Sequence, residues 1–240
     1  RLGRGDWRYM LGIKKFYERS ICLDAQGSGT RLAHFGFVTA ALIFLFLLTL
    51  AHLTPGGNQA QAGVFTTPHF FEPTNFSLGL EPEVTFGGKF GLGIQARYTH
   101  GVSEINNFGV ILGTGSGSRN FRAGVNLTFD IFPDTSGQPG IGVAIQGMYY
   151  RTKEASGLFE ASGIPYIHKT FEGKTSEFEP YLAIPTGLAL SGGMYEPLVQ
   201  LAIGTFFSQR KSPLRYAAEV GIALMNSQTY FSGGLVYQFD

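Results

Sequence analysis

Apolar and polar residues alternate with a period of two along most of the chain after residue 63. The clearest case is RNFRAGVNLTFDIF, residues 119–132, where Phe121, Val125 and Phe129 share one parity while Arg122 and Asp130 share the other. Successive side chains of a strand point to opposite faces, whereas a helix repeats about every 3.6 residues. The pattern therefore predicts strands with one apolar and one polar face, and it argues against a parallel α/β sheet.

Ten segments with this alternation follow one another along the chain. Each has about 9–13 residues, close to the tilted length that crosses the hydrocarbon core of a bilayer. The third and sixth segments are weak, so eight strands is the alternative count. The longest connection, 152–163, is predicted to be an exposed loop. The segments are 76–86, 89–100, 107–115, 119–132, 140–150, 164–172, 178–190, 195–208, 215–225 and 230–239.

The alternation alone does not say which face of each strand meets the interior of the protein. If the apolar face is the core, the chain is a soluble β-sandwich or barrel. If the apolar face looks outward, its solvent is lipid and the polar face lines the interior. Other features of the sequence decide between these two folds.

The composition favours the membrane fold. Charged residues make up 15% of the 240 residues, against about a quarter in a typical soluble domain. The chain has 34 glycines, and 14% of its residues are aromatic, which suits short strands and tight turns. The formal net charge of +1 gives no reason to expect a nucleic-acid partner.

The N-terminal part of the chain reads as an export signal. A basic leader, 1–35, precedes the apolar run within 36–62, which is predicted to be a hydrophobic signal helix. Ala60 and Ala62 form an A-x-A cleavage site after a helix-breaking Pro-Gly-Gly, so cleavage is expected after Ala62. The alternative is a retained membrane anchor, because the run is long enough to span a bilayer. The mature domain is then 63–240.

Aromatic residues on the apolar faces cluster towards the ends of the predicted strands, while Leu, Val and Ile fill the middles. Rings that sit at two membrane–water interfaces produce this arrangement in transmembrane barrels. The residues are Phe86, Tyr98, Phe121, Phe132, Tyr149, Phe207, Tyr216, Phe231 and Phe239.

The last predicted strand, SGGLVYQFD, carries Gly233, Leu235, Tyr237 and Phe239 on one parity. Here the sequence resembles bacterial outer-membrane β-barrel proteins of the small OmpA/OmpW-like class, as an architectural match. In that family the last strand usually ends on its aromatic residue, whereas here Asp240 follows Phe239.

The resemblance implies a closed antiparallel up-and-down transmembrane β-barrel of about ten strands in the bacterial outer membrane. It further implies contact with outer-membrane lipid and lipopolysaccharide, and with periplasmic chaperones. In the family, the last strand is the signal that the barrel-assembly machinery reads.

If the apolar faces look at lipid, charged side chains of both signs point into the barrel. They are Glu81, Glu83, Arg97, Arg122, Asp130 and Glu219. Buried charges need partners, so these groups are expected to form a cluster that stiffens and closes the barrel. The alternative is a narrow polar pore, for which the many inward glycines would leave room.

The sequence gives little support to an enzyme. Body histidines are His69, His100 and His168, and none has a nucleophile and a carboxylate at a diagnostic spacing. No catalytic residue, cofactor or metal site is predicted, because no His/Cys cluster has metal-ligand spacing. A barrel hydrolase or acyltransferase, and a surface adhesion protein using the 152–163 loop, stay open as alternatives to a structural barrel or narrow channel.

Overall fold

The structure is a computed structural model. It describes residues 73–86, 90–116, 120–151, 157–210 and 212–239. The leader 1–35 and the signal segment 36–62, with Ala60 and Ala62, lie outside the described residues, so the predictions for them remain predictions. In the described part of the chain, no helix combines the length and the apolar character that a membrane span requires.

The described residues form an antiparallel β-barrel. The strand order runs from β11 through β12 and β1 around to β10, and β10 pairs back with β11, so the sheet closes on itself. The strands are β1 (Phe76–Phe86), β2 (Gly91–Ser103), β3 (Asn106–Gly115), β4 (Phe121–Phe132), β5 (Gly140–Arg151), β6 (Leu158–His168), β7 (Phe171–Glu172), β8 (Ser176–Ala183), β9 (Thr186–Ser191), β10 (Met194–Gln209), β11 (Leu214–Met225) and β12 (Thr229–Phe239).

The wall of the barrel consists of ten strands, because β8 and β9 act as one. Both pair with β10 in a single register, with Ala183 opposite Ala202 and Thr186 opposite Val199. The ladder is interrupted between them at Pro185, which has no N–H to donate. β7 is a two-residue strand that pairs with the start of β8. The predicted closed antiparallel barrel of ten strands is confirmed, and segment 178–190 is corrected to two strands.

The sixth predicted segment was placed wrongly. β6 runs from Leu158 to His168, so half of the predicted exposed loop 152–163 is wall, and residues 169–172 are not part of that strand. The outward positions of its first half include Ala161 and Gly163, whose small side chains hide the alternation that marks the other strands. The error also concealed Glu160, which is buried and points inward.

The outside of the barrel is apolar and the inside is largely polar. Outward side chains in the strand middles are about half exposed, as at Leu112, Leu127 and Ile145. Among the outward positions of the described strands, the charged side chain is Arg151, at the end of β5. An apolar surface of this extent is favourable in contact with hydrocarbon and unfavourable in contact with water. The apolar faces therefore look at lipid.

Aromatic side chains mark both rims of this apolar belt. At the rim where β1 begins and β12 ends, the rings of Phe76 and Phe239 stack with centroids 4.7 Å apart, and Tyr98 lies 5.8 Å from Phe76. At the opposite rim, Phe121 and Tyr149 are 6.5 Å apart. Two aromatic belts of this kind sit at the headgroup levels of a bilayer.

A charge in the middle of the belt should destabilise the barrel. We expect Leu127→Arg to lower the free energy of unfolding by about 2–4 kcal/mol, as for arginine at the bilayer midplane. Urea titration in lipid vesicles, followed by the gel mobility of unboiled samples, measures the change. Ile105→Arg is the control, since Ile105 is equally exposed but lies in the turn between β2 and β3. Equal losses in both variants would contradict the assignment of the lipid-facing surface.

Candidate functional site

The candidate site is a layer of ionic side chains inside the barrel, on β1, β2, β4 and β11. Its first group is Glu81 with Gln95 and Arg97. The Nε of Arg97 donates to Oε1 of Glu81 at 3.0 Å, and its Nη2 donates to Oε2 at 3.3 Å. Gln95 also donates a hydrogen bond to Glu81. β1 and β2 place these groups opposite one another, since Glu81 pairs with Gln95 and Gly79 pairs with Arg97.

The second group is an ion pair between Glu83 and Arg122, which lie on β1 and β4. Both side chains are fully enclosed, at 0% exposure. β2 and β3 pass between these strands, and the arginine reaches its partner because both strands carry glycine along the path. A Cβ on Gly93 would lie 2.7 Å from Glu83, and one on Gly113 would lie 2.4 Å from Arg122.

The third group is Glu219 with two tyrosines. Tyr181 and Tyr230 both donate hydroxyl hydrogen bonds to its carboxylate, the latter at 2.5 Å. Within the described ranges, Glu219 has no lysine or arginine at ion-pair distance. In the ladder, Glu219 and Glu83 both lie opposite Ser232, so the group adjoins the Glu83–Arg122 pair. Phenolic donors thus hold this buried carboxylate, next to the Glu81–Arg97 and Glu83–Arg122 pairs.

The structure places all six predicted lumen residues on inward-facing positions. Glu81 and Arg97 are brought together, as are Glu83 and Arg122, while Glu219 stands beside them with its tyrosines. Asp130 lies apart from these groups, near the rim at which β1 begins and β12 ends, and is half-buried. Gly233, Leu235, Tyr237 and Phe239 of β12 all share the outward parity, opposite to buried Ser232 and Val236.

A second ionic cluster near that rim was missed by sequence reasoning. Nδ1 of His168 lies 2.9 Å from Glu179, and Arg215 is 3.7 Å from Glu179 and 3.6 Å from Glu177. The parity of segment 178–190 would have shown Glu179 facing inward, on the same side as Tyr181. Its neighbours on β6 and β11 could not be assigned without the register.

The connections beyond the strands at this rim carry further ion pairs, of which the pair between Lys169 and Asp134 is the less exposed. Nζ of Lys169 lies 2.6 Å from Asp134, and the backbone N–H of Thr170 donates to the same carboxylate at 2.6 Å. Partial burial disfavours the charged form of Asp134, but these two hydrogen bonds outweigh it and hold the pKa of Asp134 below its ordinary value. The pair fastens the β4–β5 connection to the segment that follows β6.

A cavity of about 600 Å³ opens at the same rim. Ser208, Arg215 and Glu177 line its inner side, and Gln238 lies where β12 ends. Ser208 donates a hydrogen bond to Glu177 at 3.3 Å. Tyr237 and Phe239, whose parity is outward, also line the cavity, so the cavity is a partly polar vestibule, a recess at one rim of the barrel.

At three inward glycines the space is taken by a neighbouring aromatic side chain, which does not favour the alternative of a pore widened by glycines. A Cβ on Gly142 would lie 2.0 Å from the hydroxyl oxygen of Tyr166, and one on Gly204 would lie 2.2 Å from the ring of Tyr181. A Cβ on Gly221 would lie 2.0 Å from the ring of Tyr230. In each case an aromatic side chain from a neighbouring strand occupies the space that a Cβ would fill. These three glycines make room for rings, as Gly93 and Gly113 make room for Glu83 and Arg122.

Part of the interior is apolar, which the sequence analysis did not anticipate. The alternation was interpreted as polar inside, yet one wall of the interior is lined by buried aliphatic and aromatic side chains. They are Ala144, Ile164, Tyr166, Tyr181, Ala183, Ala202, Phe206 and Val236. Their parity is inward, so their position follows from the register although their chemistry is that of a core.

The chemistry available to the site is binding and charge selection. Inward carboxylates outnumber inward guanidinium groups. The guanidinium groups are those of Arg97, Arg122 and Arg215, and the carboxylates include those of Glu81, Glu83, Asp130, Glu160, Glu177, Glu179 and Glu219. Any water-filled path along the interior would therefore prefer cations. Among the described residues, no three His, Cys, Asp or Glu side chains are grouped to hold a metal ion.

Breaking the enclosed ion pair should cost far more than breaking an exposed one. We expect Arg122→Ala to lower the free energy of unfolding by about 3–5 kcal/mol, because it leaves the Glu83 carboxylate buried without this cation. Arg210→Ala is the matched control, since it breaks the exposed 2.6 Å pair with Glu172 and should cost under about 1 kcal/mol. Urea titration in vesicles compares the two, and similar losses would show that Glu83–Arg122 is solvated.

A methyl group beneath a ring should also destabilise the barrel. We expect Gly204→Ala to cost about 1–3 kcal/mol, because the new Cβ overlaps the ring of Tyr181. Gly147→Ala on the lipid-facing side meets only Phe159, at 3.8 Å, and should be neutral or slightly stabilising. The same titration measures both variants. A neutral Gly204→Ala would mean that the ring does not occupy this position in the membrane.

Comparisons with known proteins show no family for the chain. No family model matches the chain, and no curated protein matches it. Among solved structures, a bacterial polysaccharide outer membrane secretin is 14% identical with a TM-score of 0.41, over 69% of this chain and 66% of the secretin.

Two further structures are similar to the same degree. An outer membrane channel from Pseudomonas putida F1 is 7% identical with a TM-score of 0.41, over 78% of this chain and 100% of the channel. The translocator domain of the autotransporter NalP from Neisseria meningitidis is 9% identical with a TM-score of 0.38, over 72% and 90%. Scores this low transfer no role. The closed antiparallel barrel itself, apolar outside and polar inside, is that of an outer-membrane protein and places the chain in the bacterial outer membrane.

Proposed function

We propose that the protein is a structural outer-membrane barrel whose interior is closed along its axis. The observation that carries the proposal is the exposure of the central charges. Glu81, Glu83, Arg97 and Arg122 are each at most 6% exposed, although they lie on the inside of a barrel that could have held water. Charged groups enclosed to this degree are paired with each other and not with solvent. Barrels of about eight to ten strands have interiors that side chains can just fill.

A narrow polar channel is the second candidate. It is favoured by the excess of inward carboxylates and by the partly polar vestibule at one rim. In this alternative the Arg97 and Arg122 side chains form the constriction, and movement of either one opens a path that prefers cations.

An enzyme or an adhesion protein has less support. His168 contacts Glu179, and Nδ1 of His100 lies 3.3 Å from the hydroxyl of Tyr98. Neither contact pairs the histidine with a serine, threonine or cysteine nucleophile. The adhesion alternative relied on loop 152–163, of which residues 158–163 belong to β6. We therefore propose a role without catalysis and without a cofactor.

The proposed partners follow from the outer surface. The apolar belt and its aromatic rims would contact outer-membrane lipid and lipopolysaccharide. The outward row Gly233, Leu235, Tyr237 and Phe239 on β12 supports recognition by the barrel-assembly machinery, after delivery by periplasmic chaperones. No nucleic-acid partner is proposed.

Conductance distinguishes the two candidates. We expect the protein purified from membranes to show heat-modifiable gel mobility and to pass no current in planar bilayers. The double variant Arg97→Ala/Arg122→Ala should give discrete conductance steps, because it removes the side chains that fill the middle of the barrel. Arg210→Ala, at the exposed rim, is the control and should stay silent.

Other outcomes would overturn the proposal in different ways. Cation-selective steps from the unmodified protein would replace the closed barrel with the channel. A double variant that keeps its heat-modifiable band and still passes no current would show that other side chains close the interior. A protein without heat-modifiable mobility would contradict the barrel itself.

A further inference from the structure

The wall of the barrel has a weak place where β6, β8/β9 and β10 adjoin. Pro165 on β6 lies opposite Ile184, and Pro185, the next residue, faces β10 opposite Gln200. Both prolines lack an N–H, so each removes one hydrogen bond from the ladder. The two losses fall on opposite sides of the same strand at the same level. This place is called the proline seam below.

At the proline seam each pair of facing residues keeps one backbone hydrogen bond. Ile184 N–H donates to the carbonyl of Pro165 at 3.0 Å, and Gln200 N–H donates to the carbonyl of Pro185 at 2.9 Å. In an intact antiparallel ladder, the residues of a hydrogen-bonded pair exchange two such bonds. Separating the strands here therefore breaks half the usual number at this level.

The interior behind the proline seam is mostly apolar, with the buried side chain of Gln200 at its edge, hydrogen-bonded to the carbonyl of Gln228. Ile164, Ala183 and Ala202 point inward on the three strands that meet there, and Ala144 lies beside Ile164 on β5. They are at most 1% exposed. The charged layer occupies the other side of the interior, on β1, β2 and β4. An apolar patch gains nothing from an aqueous lumen, but it can accept a hydrocarbon chain.

The outer surface next to the proline seam is recessed. Gly163 on β6 faces lipid, and a Cβ built on it would meet no atom within 4 Å. Ala161 and Thr186, its outward neighbours, are small as well, and the hydroxyl of Thr186 is turned onto the carbonyl of Gly163 at 3.1 Å. A lipid tail can therefore lie against the backbone here, whereas at positions such as Leu112, Leu127 and Ile145 a large side chain holds it away.

Another proline interrupts the wall at a place that is also recessed on its lipid side, next to Gly233 and Ala218, but that has charged groups behind it. Pro82 on β1 breaks the ladder with β12 between Leu80 and Glu83. Its carbonyl accepts a hydrogen bond from the hydroxyl of Ser232 at 3.0 Å, and Glu81 and Glu83 stand behind it. A hydrocarbon chain passing there would meet buried charge. Pro82 is therefore a natural control for the effect of a missing bond alone.

We infer that the proline seam is a lateral opening that admits the acyl chain of a membrane lipid from the bilayer to the apolar patch around Ile164. The inference goes beyond the proposed structural role, since a barrel that is closed along its axis can still open through its wall. The wall is weak at the proline seam, thin on its lipid side and apolar on its inner side.

Cysteine labelling from the lipid phase tests the opening. Ile164→Cys places a thiol behind the proline seam, and Ile111→Cys places one behind β3, at a site equally buried and apolar but bordered by unbroken ladders. Both are made in the full chain with Cys22→Ser. The probes are N-dodecylmaleimide dissolved in the vesicle lipid and a sulfonated maleimide in water. We expect the lipid-borne reagent to label position 164 much faster than position 111, and the sulfonated reagent to label neither.

Restoring the missing N–H groups should close the opening. Each regained hydrogen bond should lower the rate of lipid-phase labelling at position 164 by about fivefold. We therefore expect a larger drop for Pro165→Ala/Pro185→Ala than for either single variant. Pro82→Ala, which also regains an N–H, should leave the rate unchanged. Heat-modifiable mobility of every variant confirms that the barrel is folded.

Three results would overturn the inference. Equal labelling at 164 and 111, or no labelling at 164, would show that the proline seam admits no chain. If the sulfonated reagent labelled position 164 faster than the lipid-borne reagent did, the reagent would be entering through a mouth of the barrel. The labelling rate at position 164 could also stay the same in the Pro165→Ala and Pro185→Ala variants, or fall equally with Pro82→Ala. Either result would show that the reagent does not reach position 164 through the proline seam. The first and third results leave the proposed closed barrel untouched, since it is tested by conductance. Entry of the sulfonated reagent through a mouth would count against the closed barrel as well as against the lateral opening.

Discussion

The rest of the structure depends on one constraint, that hydrocarbon offers no partner to a backbone N–H or C=O group. A closed ladder meets this constraint, because every strand then has two neighbours and the sheet has no edge. Closure in turn fixes the alternation of side chains, so that each wall strand presents one face to lipid and one to the interior. The prolines of β6 and of the β8/β9 break are notable for this reason, since there the ladder gives up two bonds at one level that lipid cannot replace.

Closure also creates an interior that has to be filled with the side chains of the inward parity. The interior has two main regions besides the ionic cluster at the rim. Charges on β1, β2 and β4 neutralise each other across neighbouring strands, and aliphatic and aromatic groups mainly on β5, β6, β8 and β10 pack as a core. Glu219 on β11 is held by Tyr181 from this core and by Tyr230 from β12. The charged region supports a barrel that is closed along its axis, and the apolar region supports exchange with lipid.

Most of the architecture could be predicted from the sequence, because the alternation is a local property. Strands such as β1 and β4 follow directly from it, and so do the inward directions of Arg97 and Arg122. β6 was misplaced because Ala161 and Gly163 carry too little apolar surface to mark the outward face. Pairing partners were beyond reach, because the contact of Arg122 with Glu83 spans 39 residues and depends on the stagger of four strands. The apolar half of the interior was missed because Ile164 and Ala183 look the same in the sequence whether they face lipid or a core.

The glycines under the tyrosine rings have a consequence for how the sequence can change over evolutionary time. Gly142 with Tyr166, Gly204 with Tyr181 and Gly221 with Tyr230 each share one space between two adjacent strands. A larger residue at the glycine is tolerable only after the ring has gone, and losing the ring alone leaves a void in the interior. The two positions of each pair are thus coupled, and homologous barrels should exchange them together, in either order of size, while the lipid-facing positions between them drift independently.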